Sequence, residues 1–439
     1  MSSDKRPPAT RTRRMLRLAG MTASVAGRYA LTRVRNAVNR DEAQQEAVRR
    51  AQYEAMAETI TETLGQLKGA VMKVGQIASQ TQDFLPREFS QALQRLQKEA
   101  PPMPWEVIAE QVRRELGGNP EDLFARFDRT PWAAASIGQV HRARTHDGRE
   151  VIVKVQYPGV DDSVDADLRQ LKLAFRLSGL VRIPPESLEQ LFNEIRERLH
   201  EELDYENEAR NIQAFRQFHA EDEGVLIPAV VNPLSSRRVL TMEYVEGDHI
   251  EQVKPPRYDQ EAINLIGHRL FRTMADQLFR FHAIHGDPHA GNFAFRPDGT
   301  LILYDFGCVK KLKPEIVAAY REALKAALSE DYGALDRCLI DLGVRVHDQP
   351  AVDPDYYAVW RDVFIRPFAS HSEPYDFGAS DLHQRVAEKL PLVMQHIRHF
   401  QPPVETLFID RMIAGHYWML KRLGVQAAFR DELERYLAD

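Results

Sequence analysis

HGDPHAGNFAFRPDGTLILYDFG, running from His285 to Gly307, is the stretch on which the fold turns. Asp287 is followed five residues later by Asn292, and Asp305 comes thirteen residues after that, at the head of Asp305-Phe306-Gly307. Two carboxylates and a carboxamide are hard oxygen donors. They suit Mg²⁺, which takes few protein ligands and fills its shell with water and phosphate oxygens. In this reading Asn292 and Asp305 hold the metal, and Asp287 orients or deprotonates an attacking hydroxyl or water. The local signals agree. Asp298-Gly299 is a turn, and Leu301-Ile302-Leu303-Tyr304 is a short apolar strand that delivers Asp305 into a loop.

Two other readings compete. His285, Asp287 and His289 alternate like the ligands of a hydrolytic metal site, but that leaves Asn292 and the Asp-Phe-Gly without a role. Core and turn packing alone would also tolerate these residues. Their types and order match the protein-kinase catalytic loop H-R-D-L-x-x-x-N followed by D-F-G. The rest of the chain has to decide between these readings.

The 439 residues are enough for two or three packed units, and 44% hydrophobic with 28% charged residues is a globular composition. Cys308 and Cys338 are the only cysteines, so no disulfide framework is expected and a reducing cytoplasm is the default. The net charge of −6 is uneven: residues 1–40 carry ten Lys/Arg against Asp4 alone. A basic tail on an acidic body points to an anionic surface, and it argues against nucleic acid, which needs a basic stripe on the folded part. No window has the apolar length of a transmembrane helix. Leu18, Met21, Val25 and Tyr29 fall at helical spacing among Arg17, Arg28, Arg33 and Arg35, as in an amphipathic helix lying on anionic lipid. An Arg-rich, acid-poor start also fits an organelle targeting segment.

Residues 41–80 read as one long helix containing Lys73-Val74-Gly75-Gln76. Gly in mid-helix costs about 1 kcal/mol relative to Ala, which suggests a close neighbour at Gly75. Lys73 and Gln76 share a helix face, which reads either as directed at a phosphate site or as two solvated polar residues. Ala100-Pro101-Pro102-Met103-Pro104 is a linker, and a short helix near 105–116 follows it. Ala133-Ala134-Ala135-Ser136 then precedes two β-rich runs joined through His146-Asp147-Gly148, a hairpin whose second strand holds Lys154. Lys154 sits like the V-A-I-K lysine that holds α/β-phosphates. The alanine loop in front of it replaces a glycine-rich one, and a stiffer, more helix-prone nucleotide cover is expected. Glu194 to His219 reads as an acidic helix, with Glu208 as the partner of Lys154 and with Glu202 and Asp204 turned toward nucleotide or metal. An inserted helix near Val164–Leu180 precedes it. Arg238 to Gly247 is a strand entering a link. Thr241 and Met242 would lie at the back of a nucleotide pocket, and the backbone of Glu243, Tyr244 and Val245 would face the base. Ile263 to Ile284 is helical, and after Gly307 the chain enters a helix at Pro314–Leu328 with no obvious activation loop or A-P-E anchor, then further amphipathic helices.

The motifs taken together resemble the UbiB-like (AarF-type) atypical kinases. They are KVGQ at Lys73–Gln76, AAASIGQVHRA at Ala133–Ala143, VKVQYPGV at Val153–Val160, ELDYENEA at Glu202–Ala209, HGDPHAGNF at His285–Phe293, and DFG at Asp305–Gly307. The resemblance implies an α+β, bilobal protein-kinase-like fold with a helical N-terminal extension carrying KxGQ and a mostly helical C-lobe. The expected division is a basic tail at 1–40, the extension at 41–120, the N-lobe with a helical insert at 121–241 and the C-lobe at 242–439. It also implies ATP and Mg²⁺ as cofactors, ATPase-type activity supporting ubiquinone biosynthesis, and contact with membranes, polyprenyl-quinone intermediates and other proteins of that pathway. By position it gives Lys73, Gln76, Lys154, Glu208 and Asp287 catalytic roles, makes Asn292 and Asp305 metal ligands, and places Ala133–Ser136, Glu202 and Asp204 at the nucleotide. Many bacterial members end in transmembrane helices, and none is expected here. The expected placement is cytoplasmic, peripheral on the inner face of the cytoplasmic membrane. Phosphorylation of a small molecule, and a nucleotide-binding pseudoenzyme acting as a chaperone, are the alternatives.

Overall fold

The computed structural model describes residues 102–134, 137–178, 185–401 and 404–438. Lys73, Gln76, Ala135, Ser136 and the basic tail lie outside them. In chain order the elements begin with α1 (Trp105–Leu116), α2 (Pro120–Leu123), β1 (Arg126–Phe127), β2 (Ala133–Ala134), β3 (Gly138–Arg144), β4 (Glu150–Gln156), α3 (Val160–Ser178) and α4 (Pro185–Glu202). Next come α5 (Tyr205–Phe218), β5 (Val225–Leu226), β6 (Val239–Glu243), α6 (Gln260–Phe279), β7 (Ala283–His285), β8 (Phe293–Phe295), β9 (Leu301–Leu303) and β10 (Val309–Lys311). The chain ends with α7 (Pro314–Leu328), α8 (Tyr332–Asp341), α9 (Pro354–Phe364), β11 (Tyr375–Asp376), α10 (Leu382–Glu388), α11 (Leu390–His396), α12 (Val404–Leu423), β12 (Gln426–Ala427) and α13 (Arg430–Ala438). By packing, the described residues up to Ala209 together with Val230–Tyr244 form one unit, and Arg210–Ala229 with Val245 onward form a second.

The first unit is built on an antiparallel sheet ordered β1-β3-β4-β6, with β2 also paired to β3. The β3–β4 hairpin is the one expected from the Asp-Gly turn, and Gly148 there has a φ of 89°. One face of the hairpin is sealed: Gln139, His141, Val151, Val153 and Val155 are buried, and α1 packs on β4 and β6 through Ile108 and Val112. The other face, bearing Val140, Arg142, Ile152 and Lys154, is only half-buried. Gly138 is required by packing, because a Cβ there would lie 2.4 Å from the Val155 carbonyl oxygen.

Three sequence expectations change. Ala133 and Ala134 are extended and paired with Val140 and Gln139, so cross-strand pairing overrides the helix preference of alanine. The acidic helix is two helices, broken at Leu203-Asp204. There Asp204 Oδ1 accepts the Asn207 N–H at 2.9 Å and caps α5, a role for which a short carboxylate is suited. Helix α6 stops at Phe279, because the chain turns through His282 (φ 48°) into β7.

In the second unit β5, β9 and β8 form one sheet and β7 pairs with β10. Phe293, Phe295, Leu301, Ile302, Leu303 and Phe306 are buried beneath α6, which carries Ile266, Leu270 and Phe271 in the same core. Asp259 caps α6 by accepting the Ala262 N–H at 2.8 Å. No helix among the described residues is long and apolar enough to cross a membrane.

Candidate active site

Lys154 leaves the half-open face of β4 and donates from Nζ to Glu208 Oε1 at 2.6 Å. The lysine side chain is 15% exposed and that of the glutamate 4%, so the pair is largely withdrawn from water. Removing charges from solvent is costly unless they are matched, and each is matched by the other. The α5 cap at Asp204 fixes where the helix begins and therefore where Glu208 falls. The preceding turn is held by buried Gln156, whose amide donates to the Leu203 carbonyl at 3.0 Å. Glu202 ends α4 and is half-buried.

Thr241 and Met242 are fully buried in β6. The Tyr244 N–H donates to the Glu150 carbonyl at 2.9 Å, continuing the ladder. Antiparallel alternation therefore turns the backbone groups of Glu243 away from β4. In the second unit the Val245 carbonyl accepts the Tyr304 hydroxyl at 2.9 Å.

The spacing between Asn292 and Asp305 is explained by register. Strands β8 and β9 pair Phe293 with Leu303, and one step beyond this pair the Tyr304 N–H donates to the Asn292 carbonyl at 3.0 Å. The two proposed metal ligands thus leave adjacent strand ends side by side. The Asn292 amide nitrogen donates to the Asp287 carbonyl at 2.9 Å, so Oδ1 is the atom that would face a metal. Asp305 Oδ1 accepts the Gly307 N–H at 3.0 Å, which bends the chain back at Gly307. A carboxylate and a carboxamide oxygen offered together are the donor chemistry that Mg²⁺ takes, so these residues fit the ion.

His285 organises the loop. Its Nδ1 accepts the Asp287 N–H at 3.2 Å, so the proton must sit on Nε2, which donates to the Asp305 carbonyl at 2.5 Å. A neutral imidazole thereby ties the two acidic residues together. The His285 N–H is held in turn by buried Gln277 at 2.8 Å. The hydrolytic-metal reading fails at this point. Both His285 nitrogens are occupied, and His289 Nδ1 accepts the Gly291 N–H at 3.0 Å. Among the described residues only the exposed His371, Asp431 and Glu434 gather as metal ligands would. Glu434 there is already paired to Arg430 at 2.5 Å.

Phe306 is buried against Phe215 at 4.8 Å and His285 at 5.6 Å, and its carbonyl accepts the Asn211 amide at 2.9 Å. Helix α12 supports the loop from the other side. A Cβ on Gly415 would lie 2.3 Å from Pro288 Cγ, and one on Gly286 would lie 2.7 Å from Cys308 Sγ. His416 meets Phe293 edge to face at 5.8 Å.

These supporting residues did not emerge from the sequence. Asn211 carried a usable signal, three residues after Glu208 on one helix. So did Gly415, a mid-helix glycine of the kind already noted at Gly75.

A buried Lys–Glu pair on the sheet of one unit, and Asp, Asn and Asp-Phe-Gly at adjoining strand ends of the other, are each of them parts that a phosphoryl-transfer fold uses. Comparison with known proteins agrees, since the ABC1 atypical kinase-like domain matches residues 95–339. The chain belongs to the ABC1 atypical kinase-like family. This ABC1 protein is 32% identical to "Atypical kinase COQ8B, mitochondrial" of Rattus norvegicus, over all of its own length and 83% of the relative's. It is 30% identical to "Atypical kinase COQ8, mitochondrial" of Saccharomyces cerevisiae, over 83% of this chain and 73% of that one. Among solved structures, the Rv3197–erythromycin complex from Mycobacterium tuberculosis aligns with a TM-score of 0.61 at 28% identity, covering 91% of this chain and 98% of that one. The ABC1 chain is thus an α+β, kinase-like enzyme of the atypical kinase and ATPase class.

Proposed function

We propose that this ABC1 chain hydrolyses or transfers the γ-phosphoryl group of ATP with Mg²⁺, in support of ubiquinone biosynthesis at a membrane surface. The observation that carries the reading is the linked set in which Asn292 is bonded to Asp287 and neighbours Tyr304-Asp305. Lys154, fixed by Glu208, would hold the α- and β-phosphates. Asn292 and Asp305 would hold Mg²⁺, and its charge would offset that of the phosphates. Asp287 would orient the attacking hydroxyl or water and take its proton. Among the described residues nothing hydrogen-bonds the Asp287 carboxylate, consistent with such a role. The nucleotide would lie under Ala133–Ser136 and against the backbone of Glu243–Val245, with Glu202 and Asp204 near it. Lys73 and Gln76 would complete the site from the N-terminal extension. The acceptor is proposed to be, or to be handled with, a polyprenyl-quinone intermediate on an anionic bilayer, reached through the basic residues 11–37.

The test is ATP hydrolysis by the full chain with Mg²⁺, with and without anionic vesicles, beside Asp305→Asn. Hydrolysis that rises with vesicles and is lost in the variant supports the proposal. Nucleotide binding without turnover would move the role to a regulatory one, and no binding would end the reading.

A further inference from the structure

A second constellation stands on the same sheet face as Lys154, entirely within the first unit. The β3–β4 register sets Val140 opposite Lys154 and Arg142 opposite Ile152. Arg142 therefore projects from the Lys154 face one pleat further along, about 7 Å at the usual strand rise. Its guanidinium carbon lies 4.2 Å from the ring centre of Tyr244 and 5.2 Å from that of Trp132. The two rings meet nearly edge to face, with centres 6.4 Å apart. Trp132 is 60% exposed although it is a large aromatic.

Ring contacts rather than hydrogen bonds set the position of Arg142. Its Nε is buried without a hydrogen-bond partner, and among the described residues no hydrogen bond reaches the rest of the guanidinium. A planar cation held only by π faces, beside a solvent-facing indole, is a stacking platform for another flat ring. Trp132 is in place because its N–H donates to the Val140 carbonyl at 2.7 Å, which ties the residue before the alanine loop to β3. The platform thus begins where the alanine cover begins and ends at Tyr244. The phosphate-binding Lys154 lies one pleat away, the separation expected between the base end and the phosphate end of one nucleotide.

We propose that Trp132, Arg142 and Tyr244 form the nucleobase subsite of this enzyme, and that Arg142 selects purine over pyrimidine nucleotides by stacking. The proposal rests on the ATP-binding reading above. A larger ring system covers more of the guanidinium and indole, so discrimination follows ring area rather than a donor–acceptor pattern.

The experiment is calorimetric titration of the full-length protein with Mg²⁺ complexes of ATP, GTP, CTP and inorganic triphosphate. Arg142→Ala is expected to weaken ATP and GTP roughly tenfold, to weaken CTP less, and to leave triphosphate unchanged. Arg142→Lys keeps the charge but loses the plane, so it should not restore purine affinity. Indole fluorescence should respond to ATP and not to triphosphate, and that response should vanish in Trp132→Phe. Wild-type ATP affinity in Arg142→Ala would overturn the proposal. So would equal weakening of ATP and triphosphate, which would mean that Arg142 acts through charge or folding. If the wild-type protein binds triphosphate but discriminates against no base, the subsite falls and the phosphate reading stands. If it binds neither, the ATP-binding reading itself fails.

Discussion

Lys154 and Glu208 are separated by 54 residues of sequence and by 2.6 Å in space. Lys154 was legible because an aliphatic strand after a small-residue loop is an unusual place for a lysine, and Glu208 because an acidic helix had to supply its counter-charge. The neutral state of His285 was not legible. It follows from two backbone groups, of Asp287 and Asp305, that the fold brings to the two ends of one imidazole. The same holds for Gln139 and His141, which look like site residues in a motif. In the fold they are buried on the sealed face, where Gln139 binds both the Met103 N–H and the His141 ring. The Lys154–Glu208 pair allows a test that separates charge from folding. Glu208→Gln removes the carboxylate charge to which Lys154 donates, and removing one partner of a buried pair costs about 3–5 kcal/mol. Urea unfolding should show that loss, and calorimetry should show ATP affinity falling at least roughly tenfold. Lys154→Met with Glu208→Leu should recover most of the stability and none of the affinity. Recovery of ATP binding in that double variant would mean that the pair is structural only.

At the scale of elements, the sequence located helix α1, the β3–β4 hairpin and helix α7 closely, because each has local punctuation: prolines before α1, Asp-Gly in the hairpin, Lys313-Pro314 before α7. The break between α4 and α5 was missed because acidic helical periodicity runs through it and only the cap bond of Asp204 reveals it. The contribution of α12 was missed for a different reason. Its sequence gives amphipathic periodicity, but that it abuts the loop of Asp287 and Pro288 is a tertiary fact. Gly415→Ala adds one methyl group, which would meet Pro288 Cγ at 2.3 Å and the Pro288 carbonyl oxygen at 2.8 Å, so the loop has to move. ATP turnover should drop by roughly tenfold or more, as small misplacements of reacting groups do, while KM for ATP stays within about twofold. Gly333→Ala is the control, since its nearest neighbour would be an Asp331 carboxylate oxygen at 3.6 Å. An unaltered rate in Gly415→Ala would show that the loop accommodates the methyl group.

Over the whole molecule, buried histidines set the acid limit. Burial lowers the pKa of His141 and His219, and it pushes His416 down to about 4. The unfolded chain takes up protons at ordinary histidine values, near pH 6.5, whereas these folded groups do not. Stability should therefore be unaffected by them above that value. It should fall as pH drops from about 6.5 toward 4, by about 1.4 kcal/mol per pH unit for each histidine still neutral in the fold. Chemical denaturation across that range measures the slope. His416→Phe should flatten it by about one proton, and an unchanged slope would show that His416 titrates normally. The contact between α12 and the loop of Asp287 and Pro288 also bears on how the molecule can be divided. The match to the family's domain model ends at residue 339, and α12 begins at Val404. A chain trimmed to residues 95–339 would keep Lys154, Glu208, Asp287, Asn292 and Asp305 yet leave Pro288 and Phe293 without their backing. The motifs are thus not a portable cassette. A fragment that keeps these five residues would still be expected to be inert, and a search for them alone cannot tell a working protein of this kind from a truncated one.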